Sequence, residues 1–208
     1  MGQIILASAS PRRRELLEQI GISFEICPAK GEEMITGTLP HEAVSELSAQ
    51  KAREVAAMVK QYGDTHRELM TPQDIMVLGA DTVVAADSQI LGKPKDEADA
   101  ARMLRLLSGR THEVYTGVTI VLMSKSGKAG EHTFYEKTAV TMRKMSDGEI
   151  ERYIATGEPM DKAGAYGIQG KCAIYIDKIE GDYNNVVGLP VSAIYRELKK
   201  LGIDWYLW

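Results

Sequence analysis

The chain has 208 residues, 44% apolar and 26% charged, an ordinary globular composition that excludes a disordered, collagen-like or coiled-coil chain. At this size roughly 70% of the unfolded surface can be buried, so a full core can form. Lys and Arg number 25 against 29 Asp and Glu, a net charge of −4, which leaves no global basic surface to grip nucleic acid through its phosphates.

Ile4 to Ala7 reads as a short buried strand, and Ser8-Ala9-Ser10-Pro11 supplies a turn, an N-cap at Ser10 and a proline at the first helical position. The helix that follows buries Leu16, Leu17 and Ile20 and ends at Gly21. Phe24 to Cys27 alternates as a second strand, a βαβ start. His41 to about Tyr62 carries Val44, Leu47, Lys51, Val55 and Met58 near helical spacing, and Gly63 to Asp74 is a polar, exposed connection. Ile75 to Leu78 is an apolar run leading through Gly79-Ala80-Asp81 into Thr82 to Ala85 and a turn at Asp87-Ser88, which places Asp81 at the edge of a buried strand.

Asp96 caps a helix with Ala101, Leu104 and Leu107 on one face, closed by Gly109. Val114 to Met123 and Thr133 to Met142 form an antiparallel pair around the turn-rich Ser124-Lys125-Ser126-Gly127. Ser146 opens another helix with Glu149 at the capping-box position. Gly157 to Gly170 is polar and Gly-rich, Ala173 to Ile176 is a strand, and Pro190 starts a final helix. No repeat or linker interrupts residues 1–208, which read as one α/β unit.

Three arginines, Arg12, Arg13 and Arg14, occupy a first helical turn where the macrodipole is already positive. An anionic ligand reverses that cost, because free N–H groups, dipole and guanidinium forks together make a phosphate site, with Ser8 and Ser10 in its loop. Asp81, set among apolar residues, needs a partner, and Glu32, Glu33, Lys51, Lys93, Asp161 and Lys162 are candidates. Asp161 to Gly170 combines three glycines with an acid, a base, Tyr166 and Gln169, a composition suited to close backbone approach to a ligand. It is neither a Walker loop nor a Rossmann fingerprint. The four histidines show no metal spacing. Cys27 and Cys172 read as free thiols of a reducing compartment, and no segment has the apolar length to span a bilayer, so the cytoplasm is expected.

The ordered set Ser8-Ala9-Ser10-Pro11-Arg12-Arg13, Gly79-Ala80-Asp81-Thr82, Gly92-Lys93-Pro94 and Asp161-Lys162-Ala163-Gly164-Ala165-Tyr166-Gly167-Ile168-Gln169-Gly170 resembles the Maf family of septum-formation-inhibitor-like nucleoside triphosphate pyrophosphatases. The resemblance runs nearly end to end and includes Leu107 to His112 and Gly188-Leu189-Pro190. It implies an ITPase-like (Maf/Ham1) α/β fold, a mixed sheet flanked by helices, with two lobes around a central cleft. It also implies hydrolysis of a nucleoside triphosphate to the monophosphate and pyrophosphate with Mg²⁺ or Mn²⁺. By this likeness Asp81 is the proton acceptor. Triphosphate cleavage itself needs charge neutralisation, which Arg13, Lys51, Lys93 and Lys162 would provide with Ser8 in the phosphate loop, together with a divalent cation held by Asp81 or Glu33. Arg12, Thr82 and Gln169 match positions associated with base choice, and the wording is similar to the dTTP/UTP branch. The residues leave the division of metal-ligand and base roles open. The alternatives are a nucleotide-sensing binding protein of cell-division control and 7-methyl-GTP specificity, and a homodimer follows by analogy. The chain departs from the family pattern at Cys172, where a small residue is usual.

Overall fold

In the computed structural model, which describes residues 2–65, 74–124 and 129–207, the first apolar run forms β1 (Gln3–Leu6) and the chain turns into α1 (Pro11–Gln19). Pro11 takes the first helical position, where its missing N–H costs no bond. The Ser10 side chain makes no cap, and Ser10 instead donates its N–H to Ser8 Oγ at 3.2 Å. Gly21, at φ +72°, turns the chain out of the helix. β2 (Glu25–Ile26) pairs parallel with β1, shorter than its alternation predicts.

Next come α2 (Pro40–Thr65), β3 (Ile75–Ala86), β4 (Gln89–Leu91) and α3 (Glu97–Leu107), the last capped by Asp96, which accepts the Asp99 N–H. Helix α2 therefore runs into the stretch read as a polar connection, whose residues 66–73, His66 among them, lie outside the described residues. β5 (Thr111–Met123) and β6 (Ala129–Met142) are the expected antiparallel pair, and residues 125–128 of their connection also lie outside the described set. α4 (Asp147–Ile154) opens with Glu149 accepting both the N–H and the hydroxyl of Ser146. Short 3₁₀ turns at Glu158–Asp161, Ala163–Ala165 and Lys171–Tyr175 lead to β7 (Ile176–Glu180), α5 (Tyr183–Val187) and α6 (Val191–Lys200).

The seven strands form one mixed sheet in the order β2-β1-β3-β5-β6-β7, with β4 added to β3. β2 and β3 are parallel neighbours of β1, and every other pairing is antiparallel. Two sequence expectations are corrected here. Asp81 does not lie where one strand stops and another starts, because β5 pairs with β3 without a break from Ile75 to Ala85, so Gly79-Ala80-Asp81 continues the strand. The apolar Ala173-Ile174-Tyr175 is a 3₁₀ turn with the Ala173 N–H on Gly170 O and Ile174 exposed, and strand pairing begins only at Ile176.

Alternation along β3 sorts its side chains to two cores. Met76, Leu78 and Ala80 face a cluster with Leu16 and Leu17 of α1 and Ile194 and Leu198 of α6, whereas Ile75 and Val77 face Ala52 and Val55 of α2. Gly79 and Gly117 also lie under α2. A Cβ on Gly79 would sit 2.4 Å from Ser48 O, and one on Gly117 2.2 Å from Val44 O. The helix backbone thus rests directly on the sheet, and Asp81, paired in register with Gly117, faces it.

Candidate active site

β1 accompanies β3 only as far as Leu78, and β4 joins it only at Val84. Between them Gly79 to Val83 have no strand on that side, and this bare edge opens on a cavity of about 900 Å³. Because neighbouring side chains point to opposite faces, Asp81 leaves the edge toward α2 and Thr82 toward α1, yet both line the cavity.

Ser8, Arg12, Arg13, Glu33, Lys51, Asp81, Thr82, Lys93, Lys162 and Gln169 line this one cavity, whereas Glu32, the other acid of its pair, is absent from the lining. On the α2 side Lys51 Nζ lies 2.5 Å from Asp81 Oδ1 and 2.9 Å from Glu33 Oε1, so one cation bridges two carboxylates. Asp81 and Lys51 side chains are only 14% and 18% exposed, which explains why neither carries its charge alone. On the other side the Arg13 guanidinium acts as a brace. Its Nε donates to Gly188 O at 2.8 Å, one Nη to Ser8 Oγ at 3.0 Å and the other to Thr82 Oγ1 at 3.2 Å. Burial lowers its pKa from the usual value, against the raising influence of Asp81.

Thr82 belongs to a directed relay. Thr116 donates to the carbonyl of Asn185 at 3.0 Å, so its contact with Thr82 at 2.9 Å uses the Thr82 proton. With that proton committed, Thr82 can accept a further hydrogen bond but has none left to give. Asn185, in the helix α5 that the polar sequence Asp182 to Asn185 did not reveal, is fully buried and donates to Val114 O and Thr138 Oγ1.

Arg12 reaches across the cavity to Asp161, Nη1 to Oδ2 at 3.0 Å, and Lys162 Nζ meets the other carboxylate oxygen at 2.6 Å. Desolvation pushes the Asp161 carboxyl up, but its hydrogen bonds from Lys162 and Arg12 outweigh this and hold it below the ordinary range. Arg14, the third arginine, is absent from the lining and pairs with Glu18 at the surface. Lys93 and Gln169 are exposed at the cavity rim. Ala165 keeps a left-handed backbone, φ +59°, next to Tyr166, a strained residue of the kind that gathers at ligand sites. Cys172 is fully buried among Tyr153 and Tyr166 rather than lining the cavity, and burial pushes its thiol up to about 12.

Glu33 is held by a device that sequence reading missed. Four α2 side chains spaced four apart, Glu42, Glu46, Gln50 and Glu54, face the incoming segment and accept its backbone N–H groups. Glu54 takes those of Lys30 and Gly31, Gln50 that of Met34, Glu46 those of Thr36 and Gly37, and Glu42 those of Thr38 and Leu39. Residues 30–39 are thereby bonded to a helix as a strand would be to a sheet. The regular spacing was legible, but on its own it reads as a solvated helix face.

No group of three or more His, Cys, Asp or Glu side chains arranged for a metal occurs among the described residues. A magnesium-like cation, however, is commonly held by one or two carboxylates with the remaining positions left to water and phosphate oxygens. Asp81 and Glu33, drawn together by a single lysine, fit that pattern.

The chain belongs to the Maf family: the family described as Maf-like protein matches residues 3–201. A relative from Agathobacter rectalis named dTTP/UTP pyrophosphatase is 67% identical over 204 residues, covering 98% of this chain and 100% of the relative. Another of that name, from Lachnoclostridium phytofermentans, is 50% identical, covering 98% of each. Among solved structures, that of a HAM1 protein from Coxiella burnetii overlaps 96% of this chain and 100% of its own at 17% identity, with a TM-score of 0.47.

Proposed function

We propose that this protein is a nucleoside triphosphate pyrophosphatase that hydrolyses dTTP and UTP to the monophosphate and pyrophosphate, in a house-cleaning role. The observation that carries the proposal is the Lys51-bridged pair Asp81 and Glu33 on the bare edge of β3, facing Arg12, Lys93 and Lys162 in the same cavity. The names of the relatives support the substrate class.

A triphosphate would set its charge against Arg12, Lys93 and Lys162, taking over from Asp161 the two cations that this carboxylate holds in the free protein. Lys51 fixes the orientation of Asp81 through Oδ1. Asp81 then accepts the proton of a water that attacks the α-phosphorus, the bond from that phosphorus to its bridging oxygen breaks, and pyrophosphate leaves with the electron pair. Asp81 and Glu33 would hold a Mg²⁺ or Mn²⁺ ion, which when bound supplies further neutralisation of phosphate charge. The Gln169 amide both donates and accepts, so it suits the O4 and N3–H edge shared by dTTP and UTP, which CTP reverses. The two free cysteines and the net negative charge support a cytoplasmic protein acting on free nucleotides rather than nucleic acid. A homodimer is part of this reading by analogy. No helix among the described residues is long and apolar enough to cross a membrane.

The test is turnover across a nucleotide panel with Mg²⁺ or Mn²⁺, read as phosphate released after adding inorganic pyrophosphatase. Turnover of dTTP and UTP is expected, with CTP poorer by roughly ten- to hundred-fold and no activity in EDTA. Equal kcat/KM for CTP, a preference for 7-methyl-GTP or full turnover in chelator would overturn the proposal.

A further inference from the structure

Gln169 sits at the tip of a short loop, Gly167 to Lys171, whose two ends converge on one pair of side chains. The Gly167 N–H donates to the Tyr153 hydroxyl at 3.1 Å, and that hydroxyl donates to Glu158 Oε1 at 2.8 Å. The other carboxylate oxygen of Glu158 accepts the Lys171 N–H at 2.9 Å. Between these anchors the loop closes on itself, with the Gly170 N–H on Gly167 O at 3.2 Å.

The two glycines mark how tightly the clamp fits. A Cβ on Gly170 would fall 2.2 Å from Glu158 Oε1 and 2.4 Å from its carboxyl carbon, so the carboxylate occupies the space a side chain would need. A Cβ on Gly167 would fall 2.5 Å from Lys162 Cε. Glu158 is also tied to the cavity wall, because its carbonyl accepts from Nζ of the lining residue Lys162 at 2.8 Å. Tyr153 itself is buried, 4% exposed, in the cluster that includes Tyr166 and Cys172, so the pair is anchored in the core.

We infer that Tyr153 and Glu158 are positioning residues for base selection, clamping both ends of the loop that presents Gln169 while fixing Lys162 through the Glu158 carbonyl. The inference deepens the pyrimidine reading above and rests on it. Neither residue lines the cavity, so their effect on substrate choice passes through the loop.

Tyr153→Phe keeps the ring packing and removes the hydroxyl that joins Gly167 to Glu158. Glu158→Gln, a second variant of the same length, sets an amide NH₂ against one of two donors. Two readouts are taken on each whole protein below its unfolding temperature: amide exchange of the 167–171 segment, and kcat/KM for dTTP relative to CTP. The expected result is local exchange faster by about tenfold, with the dTTP-to-CTP ratio lowered by about tenfold and the requirement for Mg²⁺ unchanged. A variant that loses thermal stability but keeps the parent ratio would make the pair merely structural and overturn the inference, as would unchanged exchange. A parent that cleaves dTTP and CTP equally would instead remove the pyrimidine reading, and the exchange arm would still decide whether the clamp exists.

Discussion

His112 Nε2 lies 2.7 Å from the hydroxyl of Tyr166, and the two rings meet edge to face. Tyr166 lines the cavity, and His112 stands behind it, 2% exposed, with no hydrogen-bond partner at Nδ1. Burial lowers this imidazole from the ordinary 6.5 to about 4. The unfolded chain therefore binds the proton more strongly between these values, so the stabilisation is complete above pH 6.5 and drains away as pH falls toward 4. The loss between pH 7.5 and 5 should be about 2 kcal/mol. Urea midpoints of the parent should fall over that range more steeply than those of His112→Gln. Parallel curves would show that this group does not govern acid sensitivity.

Asp81→Asn retains shape but removes the charge and, on the proposed mechanism, the proton acceptor. A drop in kcat of about 10²–10⁴-fold on dTTP is expected, with an unchanged circular dichroism spectrum. A variant within a few-fold of the parent would take Asp81 out of the chemistry.

Gly117→Ala tests the seating of α2. Its new methyl would meet Val44 O at 2.2 Å, so the helix must lift, at a cost of about 1–3 kcal/mol, and carry Lys51 away from Asp81. Both Tm and kcat should fall, whereas Gly130→Ala, on β6 with open space around it, should leave both unchanged. Equal behaviour of the two variants would refute the close-contact argument.

What the sequence revealed follows from where the signal was local. The strand-turn-helix at Ser8 to Arg13 announced itself through proline placement and misplaced positive charge, and Asp81 through an acid set in apolar surroundings. The glycine-rich Asp161 to Gly170 stretch stood out by composition, and most of it lines the cavity. The unbroken course of β3 was not, because Gly79-Ala80-Asp81 has the composition of a turn and only pairing with β5 keeps it extended. Ala173 to Tyr175 misled in the opposite sense, since an apolar run does not say whether it will be covered, and Ile174 is exposed. That Lys51 is the partner of Asp81 depends on two glycines under a helix, which is a fact of packing and not of spacing.

The four rungs of α2 place a constraint on chain length that differs between its two ends. Each residue of an α-helix advances about 100°, so a single insertion between Glu42 and Gln50 would swing every later acceptor off the segment it holds and turn Lys51 away from Asp81. Deletions there should be equally intolerable, and so should any in residues 30–39, seven of whose N–H groups are matched to the four rungs in order along the chain. Past Glu54, Val55, Ala56 and Val59 still pack in the core cluster shared with Ile75 and Val77. A change of length in α2 should therefore be tolerated only beyond Val59, while the near end stays in register.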